Sequence, residues 1–156
     1  MAYGVLLILI GWLTALTQFA TRVKAGDLQL AESRLFAPLT DILFFAPVLA
    51  AAWAYRRKPE IHKRLIVVAT TILLIAAVHR MAFLGGPPPP LPLLFGIWLL
   101  PIAIGMSHDF LTRRLVHPVY MVGIVLVVLM KQRGPLHETA VWTEFVAWLA
   151  TVVTGT

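Results

Sequence analysis

Tyr55-Arg56-Arg57-Lys58-Pro59-Glu60-Ile61-His62-Lys63-Arg64 places five Lys and Arg residues in ten positions, between two long apolar runs. Cations packed this closely beside apolar segments are what the positive-inside rule reads as a short cytoplasmic loop between two membrane spans. Once this loop is assigned to one face, the side of every other loop follows.

The composition agrees with that reading. The chain has 156 residues, 60% apolar and 13% charged, against about 45–50% and about 25% for a soluble domain. The excess lies in blocks of roughly 14–20 residues, enough to cross a hydrocarbon layer of about 30 Å. Helices satisfy their own backbone groups and are therefore the expected spanning form. The expected fold is all-α, a polytopic helical bundle forming one transmembrane domain over 1–156. Nucleic-acid binding is excluded as the meaning of the net charge of +6, because the cations sit in short loops between spans. With no cysteine, disulfide and thiolate chemistry are excluded. The first apolar run has no basic segment before it and no clear cleavage site after it, so it reads as a retained signal anchor.

Five spans are predicted, at about 3–20, 35–55, 64–84, 91–110 and 118–130, with an amphipathic interfacial helix at about 139–153. In the first, Thr14, Thr17 and Gln18 share a face expected to meet other helices. Residues 21–34 read as a polar connection with a Lys-Ala-Gly-Asp turn signal. Pro38 is expected in the first turn of span two and Pro47 at a kink inside it. Ala50, Ala51, Ala52 and Ala54 offer it a small-residue face. Gly85-Gly86-Pro87-Pro88-Pro89-Pro90 is a stiff extended connector. Gly96 and Gly105 are expected packing points in span four, which Pro101 should kink. The fifth run is short for a span and requires membrane thinning or close packing. In the last helix, Trp142, Phe145, Leu149 and Val152 are expected near one face. The loops after spans two and four carry seven Lys and Arg, and the other connections six spread over more residues. That predicts an inside amino terminus and an outside carboxy terminus, with Tyr3, Trp53, Tyr55 and Tyr120 in an interfacial belt.

Two constellations can carry chemistry. Asp41 and the His79-Arg80 pair lie inside spans, where ionisable groups are costly. Matching their depths predicts an Asp41–Arg80 ion pair with His79 beside it, a clamp between hairpin helices. His62, His108, His117 and Asp109 all fall on the cytoplasmic side. Imidazoles of this kind can ligate a metal ion or clamp the iron of haem b. The ordinary reading makes the histidines interfacial residues and Asp109 an i, i+4 partner of Arg113. No phosphate loop, nucleophile elbow or His-Glu-x-x-His motif occurs.

The run from Arg56 to Thr70, Arg-Arg-Lys-Pro-Glu-Ile-His-Lys-Arg-Leu-Ile-Val-Val-Ala-Thr, resembles an uncharacterised family of bacterial inner-membrane proteins. The run His108-Asp109-Phe110-Leu111-Thr112-Arg113-Arg114-Leu115-Val116-His117-Pro118 is similar to that family's second signature. The likeness covers about 36–150. Family members have about seven spans and additional histidines in an amino-terminal portion, so a ligand set completed by those histidines is not carried over. The resemblance implies membrane location and topology but no activity.

Together these features favour a small accessory or scaffold subunit of a larger membrane assembly, respiratory or photosynthetic. It would have no catalysis and no cofactor of its own, and its partners would be lipids and other membrane subunits. The alternative is a redox protein holding haem b or a metal ion on His62, His108 and His117, with Asp109. A small transporter ranks third, since no inverted repeat or polar pathway is visible.

Overall fold

The structure is a computed structural model that describes residues 2–82 and 90–155, without the side chains of Ala2 and of residues 79–82. It is all-α, with no strand among the described residues. The helices are α1 (Ala2–Lys24), α2 (Leu28–Ala54), α3 (Pro59–Ala82), α4 (Leu91–Arg113), α5 (Pro118–Gln132) and α6 (Ala140–Thr154), with a 3-10 turn at Gly134–Glu138 before α6. Five segments are long and apolar enough to cross a membrane, the fifth counting α5 together with that turn. Most of the Gly-Pro connector lies outside the described residues. Pro90, at φ −58° and ψ 142°, has the extended polyproline geometry.

The chain forms two compact units, 1–43 with 129–156, and 44–128. In the first, the polar connection expected at 21–34 shrinks to a tight turn. Gly26 takes φ +82°, a value open to glycine without a Cβ clash. Asp27 then caps α2, its carboxylate accepting the Leu30 N–H at 3.1 Å, as an N-cap does. Residues 28–34 become helical because Ala31 continues an i, i+4 series through Leu35 and Leu39 that packs with Ala15, Phe19 and Val146. Burying that stripe outweighs the polarity of Gln29, Glu32, Ser33 and Arg34. In consequence Pro38 is interior to α2, and Asp41 lies thirteen residues beyond Leu28, about 20 Å along the helix. Helix α6 also differs from expectation. Its inward face is Trp142, Val146, Leu149 and Val153, while Phe145, Trp148 and Val152 are exposed. The residues it turns inward are therefore not the four expected on one face.

In the second unit, α3 buries Arg64, Val68, Thr71, Ile72, Ile75 and Val78, a helical repeat along its length. The indole N–H of Trp98 on α4 donates to the Thr71 carbonyl at 2.7 Å. Close approach of α3, α4 and α5 depends on glycines. A Cβ on Gly123 would lie 2.7 Å from Val68 Cγ2 and 3.1 Å from Ile102 Cδ1. A Cβ on Gly105 would strike the Tyr120 ring, whereas Gly96 faces open space. Gly105 is thus a packing point and Gly96 is not. Of the alanine run, Ala52 is buried while Ala50 and Ala54 are exposed, because consecutive residues point in different directions around a helix. We expect Gly123→Ala to destabilise the protein by about 1–3 kcal/mol through overpacking, measured by unfolding in mixed micelles. Gly96→Ala should be neutral or slightly stabilising.

Candidate functional site

The chemistry-bearing residues of the second unit gather where α3 begins and α4 ends. These helices are antiparallel neighbours, so residues near the start of one meet residues near the end of the other. Arg64, on the second turn of α3, donates from Nε to Asp109 Oδ2 at 2.6 Å and from Nη2 to Asp109 Oδ1 at 2.6 Å. This is the bidentate fork of the strong arginine–carboxylate pair. Both side chains are buried, at 1% and 3% exposure. The remaining valences are also used. Arg64 Nη1 donates to the Glu60 carbonyl and meets Glu60 Oε2 at 3.0 Å. The Tyr120 side chain and the His117 backbone stand beside the pair. A buried pair survives only when satisfied in this way.

Glu60 forms an outer layer, 2.6 Å from Arg113 Nη2 and 3.3 Å from Lys63 Nζ. The i, i+4 pairing expected between Asp109 and Arg113 is therefore replaced. Asp109 points inward to a guanidinium 45 residues away, and Arg113 pairs with Glu60 across the helix boundary. Tyr120, expected in the interfacial belt, is buried at 4% exposure beside this network. Trp53, Tyr55 and Tyr3 are exposed.

The histidines have separate tasks. His62 Nδ1 lies 2.7 Å from the Ala52 carbonyl. The carbonyl can only accept, so Nδ1 carries the proton. Ala52 belongs to the last turn of α2, whose carbonyls lack helical partners, and His62 caps one of them. His117 Nδ1 accepts the Val119 N–H at 3.3 Å, capping α5 just before the proline at its first position. His108 is exposed, 4.0 Å from Asp109 Oδ1. No group of three His, Asp or Glu able to hold a metal ion occurs among the described residues. The structure therefore does not gather His62, His108, Asp109 and His117 into one ligand set. We expect His62→Ala to cost about 1 kcal/mol, the value of one capping hydrogen bond, read as a lower unfolding midpoint.

In the first unit, Asp41 is met by Arg133, from the residues after α5, at 2.6 Å. The expected partners, Arg80 and His79, have side chains outside the described residues. The Arg64–Asp109 pair had a visible signal, since Arg64 is close to the start of one predicted span and Asp109 close to the end of the next. A purely local i, i+4 explanation for Asp109 concealed it. No protein-family model, no curated protein and no solved structure matches this chain.

Proposed function

We propose that this chain is an accessory, scaffolding subunit of a larger membrane assembly, with no catalysis of its own. In this reading it lies in a bacterial inner membrane, amino terminus inside and carboxy terminus outside, among lipids and other membrane subunits. The observation that carries the reading is the free surface of α1. Only 11% of its spanning window is buried, and Thr14, Thr17 and Gln18, the face expected to meet other helices, are exposed. The threonine hydroxyls satisfy themselves on Ile10 and Thr14 carbonyls. The Gln18 amide has no such partner among the described residues. An amide facing hydrocarbon is costly, and a helix of another subunit would satisfy it. The ionised pairs support the same reading, since Asp109 and Glu60 are engaged by cations of the same chain and not presented to a substrate.

The test is extraction in mild detergent with native mass measurement, together with a photo-crosslinking residue at Gln18. A stoichiometric heteromeric complex, cross-linked through α1 to one defined subunit, is the expected result. A lone chain with a haem absorption band lost in His62→Ala or His108→Ala would replace this reading with the redox alternative. Orientation is checked separately by single-cysteine labelling in a chain that has no native cysteine. A cysteine replacing Arg57 should react only from the cytoplasmic side.

A further inference from the structure

The face made by the α2–α3 turn, the first turns of α3 and the end of α4 holds more positive charge than its own pairs consume. Arg56, Arg57, Lys58, Lys63, Arg64, Arg113 and Arg114 stand there against two carboxylates, Glu60 and Asp109, for a net charge of +5. Asp109 is spent entirely on buried Arg64, and Glu60 is shared among Arg64, Lys63 and Arg113. Arg56, Arg57, Lys58 and Arg114 are exposed beyond them.

Three features give this patch an occupant. Its depth is set by exposed aromatic rings. The Arg56 guanidinium lies over Trp53, 5.0 Å from the ring centroid, and Lys58 Nζ lies 5.9 Å from that of Tyr55. Exposed Trp and Tyr settle at the headgroup level, so the cations they hold are at phosphate depth. Next, the patch is amphiphilic. Leu111 and Leu115, on either side of Arg113 and Arg114, are 74% and 76% exposed, an apolar lip suited to acyl chains and of no use to a dissolved anion. Finally, Arg114 ends α4 in the left-handed region at φ 58°, a position that favours glycine. A cation is kept there against conformational preference, as happens where the side chain has a task.

From this charge excess, aromatic anchoring and apolar lip, we infer that the face binds the phosphate headgroup of an anionic phospholipid. Basic groups at the ends of membrane helices recognise such headgroups by close Coulombic contact. This holds whether or not the chain has protein partners.

The experiment uses the full chain reconstituted in phosphatidylcholine membranes. Spin-labelled phosphatidylglycerol and spin-labelled phosphatidylcholine are compared for the fraction immobilised at the protein surface. The wild type should prefer phosphatidylglycerol several-fold, and equal immobilisation of the two lipids would overturn the assignment. Removing two exposed cations should bring the preference close to one. The variant Arg57→Gln with Arg114→Gly is suited to this, because glycine fits the left-handed position and folding is preserved. A preference that survives in this variant would also overturn the assignment. The control Arg22→Gln with Lys24→Gln removes two cations from elsewhere and should leave the preference intact. If it abolishes the preference, overall charge and not this face is responsible. Soluble glycerophosphate should not compete. Competition at concentrations matching the lipid would mark a free-anion site and refute the lipid.

Discussion

Asp109→Ala should destabilise the protein by about 3 kcal/mol or more, because it leaves the Arg64 guanidinium buried without its counter-ion. Arg64 is 1% exposed, and Glu60 reaches only one of its terminal nitrogens. The same loss is expected for Arg64→Ala, which strands the Asp109 carboxylate. The informative variant is the double change Arg64→Met with Asp109→Leu. Buried pairs replaced together by apolar residues of similar volume cost little or even stabilise. The double variant should therefore be far more stable than the sum of the single effects requires, a coupling that a double-mutant cycle in mixed micelles reads directly. Additive losses would mean that the two charges do not act as a pair. Tyr120→Phe, removing a buried hydroxyl beside the network, should cost about 1 kcal/mol or less.

The second large effect is expected at Asp41. Arg133→Ala removes a guanidinium 2.6 Å from a carboxylate with 12% side-chain exposure, and we expect a loss of about 3 kcal/mol, the lower end for breaking a buried pair. Asp41→Asn should cost less. An aspartate is short and stays where α2 places it, whereas arginine near a helix end can turn its charge to water along its aliphatic stem. Arg133→Lys should recover part of the stability and lose the planar geometry. If Arg133→Ala leaves the unfolding midpoint unchanged, the ion pair contributes nothing. The measurement is the same detergent-denaturant titration, so both pairs can be ranked on one scale.

Glycine positions show how local chemistry and packing divide the labour. Gly26 is legible from the Lys-Ala-Gly-Asp sequence because a turn needs a positive φ that side chains resist. Gly105 and Gly96 look alike in the sequence, and only the position of Tyr120 over one of them separates the two. Gly123 carries no local signal at all, since its reason is the proximity of Val68 and Ile102 from two other helices. The histidines divide in the same way. His117 before Pro118 is readable as a helix start, but the reach of His62 back to the Ala52 carbonyl depends on how the α2–α3 turn folds.

By itself the sequence determined the all-α class, the five apolar helices with their approximate positions and the basic connection between α2 and α3, whose second half, from Pro59, the structure makes the start of α3. These follow from hydrophobic run length, helix-breaking residues and charge density, all of which act over a few neighbouring positions. The structure decided that residues 28–34 extend α2, that α6 buries Val146 and turns Val153 inward instead of Phe145 and Val152, and that Asp109 meets Arg64 and Asp41 meets Arg133. Those outcomes depend on which surfaces of different helices come together. A buried charge chooses its partner by three-dimensional distance and desolvation, and the partners here are 45 residues apart for Arg64 and Asp109 and farther for Asp41 and Arg133. Spacing along the chain carries no record of either meeting.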